Sequence, residues 1–107
     1  MVCAVSVKRT QPKPITSLKI GPCTYAVVRS AITEYGLCDY KRQTITLQPD
    51  LHPTAERLVL WHEIIHAILY QLGYNDHDEK LVDGLAHSIV SVLTDNNLQN
   101  GTTGGKV

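Results

Sequence analysis

No part of this sequence carries a long run of like charge, and none approaches the ~20 consecutive apolar residues that a bilayer-spanning helix needs. Ten basic residues balance ten acidic ones. Without a basic surplus the chain lacks the electrostatic footprint of a nucleic-acid binder, and no such partner is expected. The opening MVCAVSVKRTQPKP turns polar too soon for a secretory signal. Cysteine is scarce, and Cys3, Cys23 and Cys38 form an odd set with no close pair. That argues against a disulfide framework and suits a reducing compartment, where a thiol can serve as a small buried hydrophobe. These absences point to a cytoplasmic protein with no membrane partner. No internal repeat is visible.

What is present is ordinary globular material: 107 residues, 43% hydrophobic and 19% charged, enough for one modest core. The two prolines of QPKP interrupt any regular element, so residues 1–14 read as an N-terminal arm. A domain over residues 15–96 follows, and the Gly/Thr-rich residues 97–107 read as a flexible C-terminal tail. The β-branched and aromatic TSLKIGPCTYAVV predicts a strand near Cys23 to Val28, with a shorter one before it. YGLCDYKRQTITLQ predicts a hairpin: Leu37 and Cys38 open it, DYKRQ turns, and TITLQ alternates apolar Ile45 and Leu47 with Thr44, Thr46 and Gln48.

Two helices come next. PDLHPT breaks the chain, Thr54 is the expected N-cap, and Glu56 lies in the first turn. Leu58, Trp61, Ile65, Ile68, Leu69 and Leu72 predict one apolar stripe, and Gly73 a stop. A second helix starts near Asp78 with Leu81, Val82, Leu85, Ile89, Val92 and Leu93 as its stripe. The expected class is α+β, a small antiparallel sheet or hairpin packed on two main helices.

Within the first helix, LWHEIIHAILYQLG places His62, Glu63 and His66 in an apolar run. Burying polar groups without partners costs a few kcal/mol each, so something must reward them. His62 and His66 are one turn apart, about 40° in rotation, and their imidazoles can converge on one point, as two ligands of a tetrahedral zinc must. Glu63 lies roughly 100° further round, out of that coordination sphere but within reach of an activated water. This is the logic of H-E-x-x-H, two metal ligands and a general base. The plainer alternative is core histidines with hydrogen-bond partners; against it, the pattern lies inside a capped helix, on the flank of its apolar stripe.

A zinc hydrolase needs a third protein ligand and one open position. His77, Asp78, Glu79, Asp83 and His87 lie just downstream. Glu79 can bind the metal while Asp83 accepts the outer N–H of a ligand histidine. His77 is the rival ligand. Asp78 is equally explained as an N-cap, Glu79 as a helix-dipole preference, and His87 as a surface residue.

HEIIH followed by EKLVD resembles the gluzincin arrangement of two histidines and a glutamate with E-x-x-x-D on the next helix. More narrowly, GLCDYKRQTITLQPDLHPTAERLVLWHEIIHAIL together with DEKLVDGLAHSIVSVL is similar to the small ImmA/IrrE-like metallopeptidase domains common in phages, over about residues 18–96. The resemblance implies a minimal zincin-like domain with one zinc per chain and ligands His62, His66 and Glu79. Glu63 would be the base, a peptide or protein the substrate, and the host cytoplasm the location if the protein is phage-encoded. TITLQ is expected to offer an unpaired edge to an extended peptide, and Tyr70 or His77 to stabilise the oxyanion. Two other readings stand beside this one. A structural metal site with His77 as an additional ligand would make a non-catalytic partner-binding domain. LGYNDH after HEIIH faintly suggests a metal-dependent endoribonuclease.

Overall fold

The computed structural model describes residues 14–98, so the expected arm at 1–14 and tail at 97–107 fall almost wholly outside the described residues. The described chain forms β1 (Ser17–Ile20), β2 (Cys23–Arg29), β3 (Gly36–Asp39), β4 (Thr44–Leu47), α1 (Pro53–Gln71) and α2 (Glu79–Asp95). The class is α+β, with a four-stranded sheet in the order β1-β2-β4-β3 packed against α1, and α2 packed on α1 in turn. The sheet is mixed rather than wholly antiparallel. β1–β2 and β3–β4 are antiparallel pairs, while β2 and β4 run parallel. After β2 the chain skips one strand position, forms β3 on the outside and hairpins back into the gap as β4. TITLQ is therefore an interior strand bonded on both sides, not the expected open edge; the free edge beside the helices belongs to β3.

Local chemistry sets the turns. Ile20 pairs with Cys23 across a two-residue turn whose first position, Gly21, has φ +59°, a backbone that favours glycine. Gln71, at the end of α1, donates its side-chain N–H to the Ile20 carbonyl at 2.7 Å and closes the helix onto this hairpin. Asp39 accepts the Arg42 backbone N–H at 3.1 Å in the β3–β4 turn. In β4, Ile45 and Leu47 are fully buried and the threonines between them half-buried, as the alternation requires.

α1 begins two residues earlier than expected. Its N-cap is His52 rather than Thr54: the imidazole Nδ1 accepts the Thr54 N–H at 3.2 Å, and Pro53, with φ preset and no donor to satisfy, takes the first helical position. The helix ends as Gly73 predicts. Gly73 has φ +97°, its N–H donates to the Tyr70 carbonyl, and the Tyr74 N–H donates to the Leu69 carbonyl, both at 3.0 Å, a Schellman closure. Asp78 caps α2, accepting the Lys80 and Leu81 N–H groups.

The single-stripe expectation for α1 is corrected by its two partners. Leu60, Ala67, Val59 and Ile64 pack on the sheet with Tyr25, Val27, Ile45 and Leu47. Ile65, Trp61 and Leu69 pack on Val82, Ala86 and Ile89 of α2. Ile68 and Leu72, expected inside, are exposed, and so are Leu81, Leu85 and Val92 of α2. Among the described residues, α2 packs on α1 and on no strand. Arg29 ties β2 to the first turn of α1 through a 3.1 Å ion pair with Glu56, and its guanidinium also donates to the Ile15 carbonyl. No described helix is long and apolar enough to cross a membrane.

Candidate metal centre

At 100° per residue, the sheet-facing side chains of α1 (Val59, Leu60, Ile64, Ala67) occupy one arc and the α2-facing ones (Trp61, Ile65, Leu69) another. His62 and His66 fall at the seam between them, where the helix looks out between β3 and α2. Glu63, further round, turns toward β3. A helix clamped on two sides thus keeps one polar strip, and it leads into a cavity.

The first turn of α2 supplies the third group. Glu79 Oε1 lies 3.2 Å from His62 Nε2, and Oε2 lies 3.2 Å from His66 Nε2. The two Nε2 atoms are 3.3 Å apart. An ion with ligand bonds of 2.0–2.1 Å separates tetrahedral donors by about 3.3 Å, and all three separations here have that value. His62, His66 and Glu79 therefore form a cluster that can hold a metal ion, with two neutral-nitrogen donors and one carboxylate. Burial lowers the pKa of His66, opposed chiefly by Glu79, which favours the neutral ring that ligation requires.

The outer nitrogens have partners of their own. His62 Nδ1 faces Asp83 Oδ1 at 3.6 Å. His66 Nδ1 faces His77 Nδ1 at 2.7 Å, so His77 sits behind His66, on the side away from the cluster. His77 Nε2 lies 2.7 Å from the Tyr74 carbonyl. His87, one turn beyond Asp83, bonds through Nδ1 to the Asp83 backbone carbonyl at 2.9 Å.

A cavity of about 810 Å³ runs past the cluster. β3 and its approach form one wall, from Glu34 to Cys38; Leu51, Ala55, Leu58 and Val59 line the end near the start of α1; Glu79, Asp83 and His87 form the opposite wall. Glu63 lines it as well, yet is only 8% exposed. Burial pushes its carboxyl up to about 7; His62 opposes the rise, while Glu79 and Glu34 add to it. The Cys38 thiol, pushed up to about 12 by burial and then by Glu63, stays protonated. Tyr70 does not line the cavity; its ring stacks on Tyr40 at 4.1 Å, and Tyr40, like Tyr35, lies on the cavity wall. Burial raises Tyr40 to about 12, so its hydroxyl remains a donor.

Two contributors escaped sequence reasoning. Gly36 lies against α1 so closely that a Cβ would stand 2.5 Å from Val59 Cγ1 and 3.2 Å from Glu63 Oε2. Tyr40 was assigned to a turn. A glycine at the mouth of a hairpin was the available signal for the first; nothing local marks the second. Comparison with protein-family models, with curated proteins and with solved structures finds no match.

Proposed function

We propose that the protein is a zinc-dependent metallopeptidase, with His62, His66 and Glu79 as ligands and Glu63 as general base. The observation that carries this reading is the donor triangle with 3.2–3.3 Å sides beside a buried carboxylate in an open cavity. Two imidazoles and one carboxylate are the ligand set of catalytic zinc sites that leave a fourth position free. When bound, zinc acts as a Lewis acid that lowers the pKa of water toward ~7 and polarises a carbonyl oxygen.

This chain's residues would do the rest. Glu63, held near neutrality by burial, takes the proton of the attacking water and passes it to the leaving amide nitrogen. Asp83, near the outer nitrogen of His62, orients that ring. Tyr40 is better placed than Tyr70 to donate to a developing oxyanion, since of the two only Tyr40 lines the cavity. β3 supplies the peptide-binding edge first assigned to TITLQ. The Gln48 N–H bonds to the Tyr35 carbonyl, so by the alternation of an antiparallel ladder Gly36 and Cys38 direct their N–H and C=O groups away from β4. An extended peptide pairing there would cross Glu63 and the metal donors. The resemblance to ImmA/IrrE-like domains supports the same assignment.

A structural site would call for a fourth protein ligand, and the described cluster has three members, with His77 behind His66. An endoribonuclease would call for phosphate-binding charge, which a neutral chain supplies poorly. The test is Glu63→Gln against a peptide library, with zinc content measured in parallel. Cleavage should fall at least ~100-fold while one zinc per chain is retained. Undiminished cleavage by the variant, or a wild type that binds zinc and cleaves no peptide, overturns the peptidase reading.

A further inference from the structure

We propose that His77 is a positioning residue, neither ligand nor oxyanion donor, that fixes the tautomer of His66 and so presents the His66 Nε2 lone pair to the metal. The inference rests on the metal-site reading above and adds a residue to it.

The argument begins at the Tyr74 carbonyl. A carbonyl oxygen only accepts, and His77 Nε2 lies 2.7 Å from it, so Nε2 carries the proton. In a neutral imidazole the other nitrogen is then bare, and His77 Nδ1 is an acceptor. It sits 2.7 Å from His66 Nδ1, where two bare nitrogens would repel each other. His66 Nδ1 is therefore the donor. With its one proton there, the neutral ring of His66 has its lone pair on Nε2, the atom 3.2 Å from Glu79 Oε2 and 3.3 Å from His62 Nε2.

The relay is held from behind. The rings of His66 and His77 are close to parallel, 20° apart with centroids at 4.9 Å. Tyr40 meets His77 edge-on at 6.4 Å while stacking on Tyr70. Tyr74 is pinned because its N–H closes the C-terminus of α1 on the Leu69 carbonyl. The turn that stops the helix thus also aims one of its metal ligands. The two histidines are fixed by different devices: a carboxylate faces the outer nitrogen of His62, whereas an imidazole stands between His66 and its carbonyl. Outer partners of this kind typically change metal affinity 10–100-fold.

Long-range 1H–15N correlation spectra of the full chain at pH 8, above the ordinary histidine pKa of ~6.5, read the tautomers directly. With zinc bound, the wild type should show His66 protonated at Nδ1 and His77 at Nε2, with zinc on Nε2 of His66 and on no nitrogen of His77. His77→Asn, whose side-chain oxygen can accept near the place of Nδ1, should keep zinc affinity within about threefold; His77→Phe, which keeps a ring but no acceptor, should weaken it 10–100-fold and release the His66 tautomer. His77 without a proton at Nε2 in the zinc-loaded wild type, zinc coordinated by His77, or equal weakening by the two variants would overturn the proposal. The wild-type spectra decide it even where a substitution unfolds the chain. A wild type that binds no zinc through His62 and His66 refutes the metal-site reading instead, and the proton on His77 Nε2 in the metal-free spectra still judges the role of His77.

Discussion

A carboxyl group pushed up to about 7 by burial is a thermodynamic liability as well as a tool. Glu63 in the folded, metal-free protein holds its proton over a range in which an unfolded glutamate has already lost it. The native state therefore binds more protons than the unfolded one between about 4.5 and 7, and stability must fall as pH rises through that window. Below it Glu63 costs nothing. Above it the cost reaches about 2 kcal/mol, allowing for water in the cavity. Glu63→Gln should accordingly stabilise the metal-free protein by about 2 kcal/mol at pH 8 and by much less at pH 4.5, as read by urea denaturation at the two pH values. A variant whose gain is the same at both would show that Glu63 is not buried as described. Glu63 is thus a residue that costs the fold stability above neutral pH, a mark of a group kept for function rather than stability.

Between elements, the decisive contact is β3 against α1. Gly36 lets the strand approach until Val59 and Glu63 fill the space a side chain would take. Gly36→Ala should cost about 1–3 kcal/mol through overpacking and displace the Glu63 carboxylate. Peptidase activity should drop at least tenfold, with zinc affinity unchanged, because His62 and His66 lie on another strip of α1 and Glu79 lies on α2. Denaturant titration, zinc titration and kinetics on the one variant separate the three effects. Much at this level was legible in advance. HEIIH put two imidazoles on one strip of a helix, EKLVD put a carboxylate at the start of the next, and Gly73 marked the stop between them. What could not be read was non-local. Periodicity assumes one partner per helix, so α1, clamped between sheet and α2, yielded a single stripe in place of two arcs, and Ile68 and Leu72 were misplaced. The insertion of β4 between β2 and β3 depends on pairings across the chain, which no local alternation encodes, and so the open edge was assigned to the wrong strand. Pro53 moved the cap from Thr54 to His52 by supplying a first helical residue that needs no donor.

Across the whole molecule, cohesion is uneven. The sheet and α1 share the larger buried cluster, whereas α2, among the described residues, rests on α1 alone through Val82, Ala86 and a few half-buried neighbours. The metal donors bridge that weaker junction, two on α1 and one on α2. An ion held at a thousand times its dissociation constant adds about 4 kcal/mol to the state that binds it. Chelation should therefore strip hydrogen-exchange protection from residues 79–95 well before β2 and β4 lose theirs, an ordering that mass spectrometry of peptic fragments checks; uniform loss would show that the junction needs no ion. One consequence concerns supply. With a single docking partner for α2 among the described residues, an ion at this cluster would act as a rivet whose tenure is set by ion availability, so scarcity would unfasten the architecture itself and expose a loosened segment to degradation.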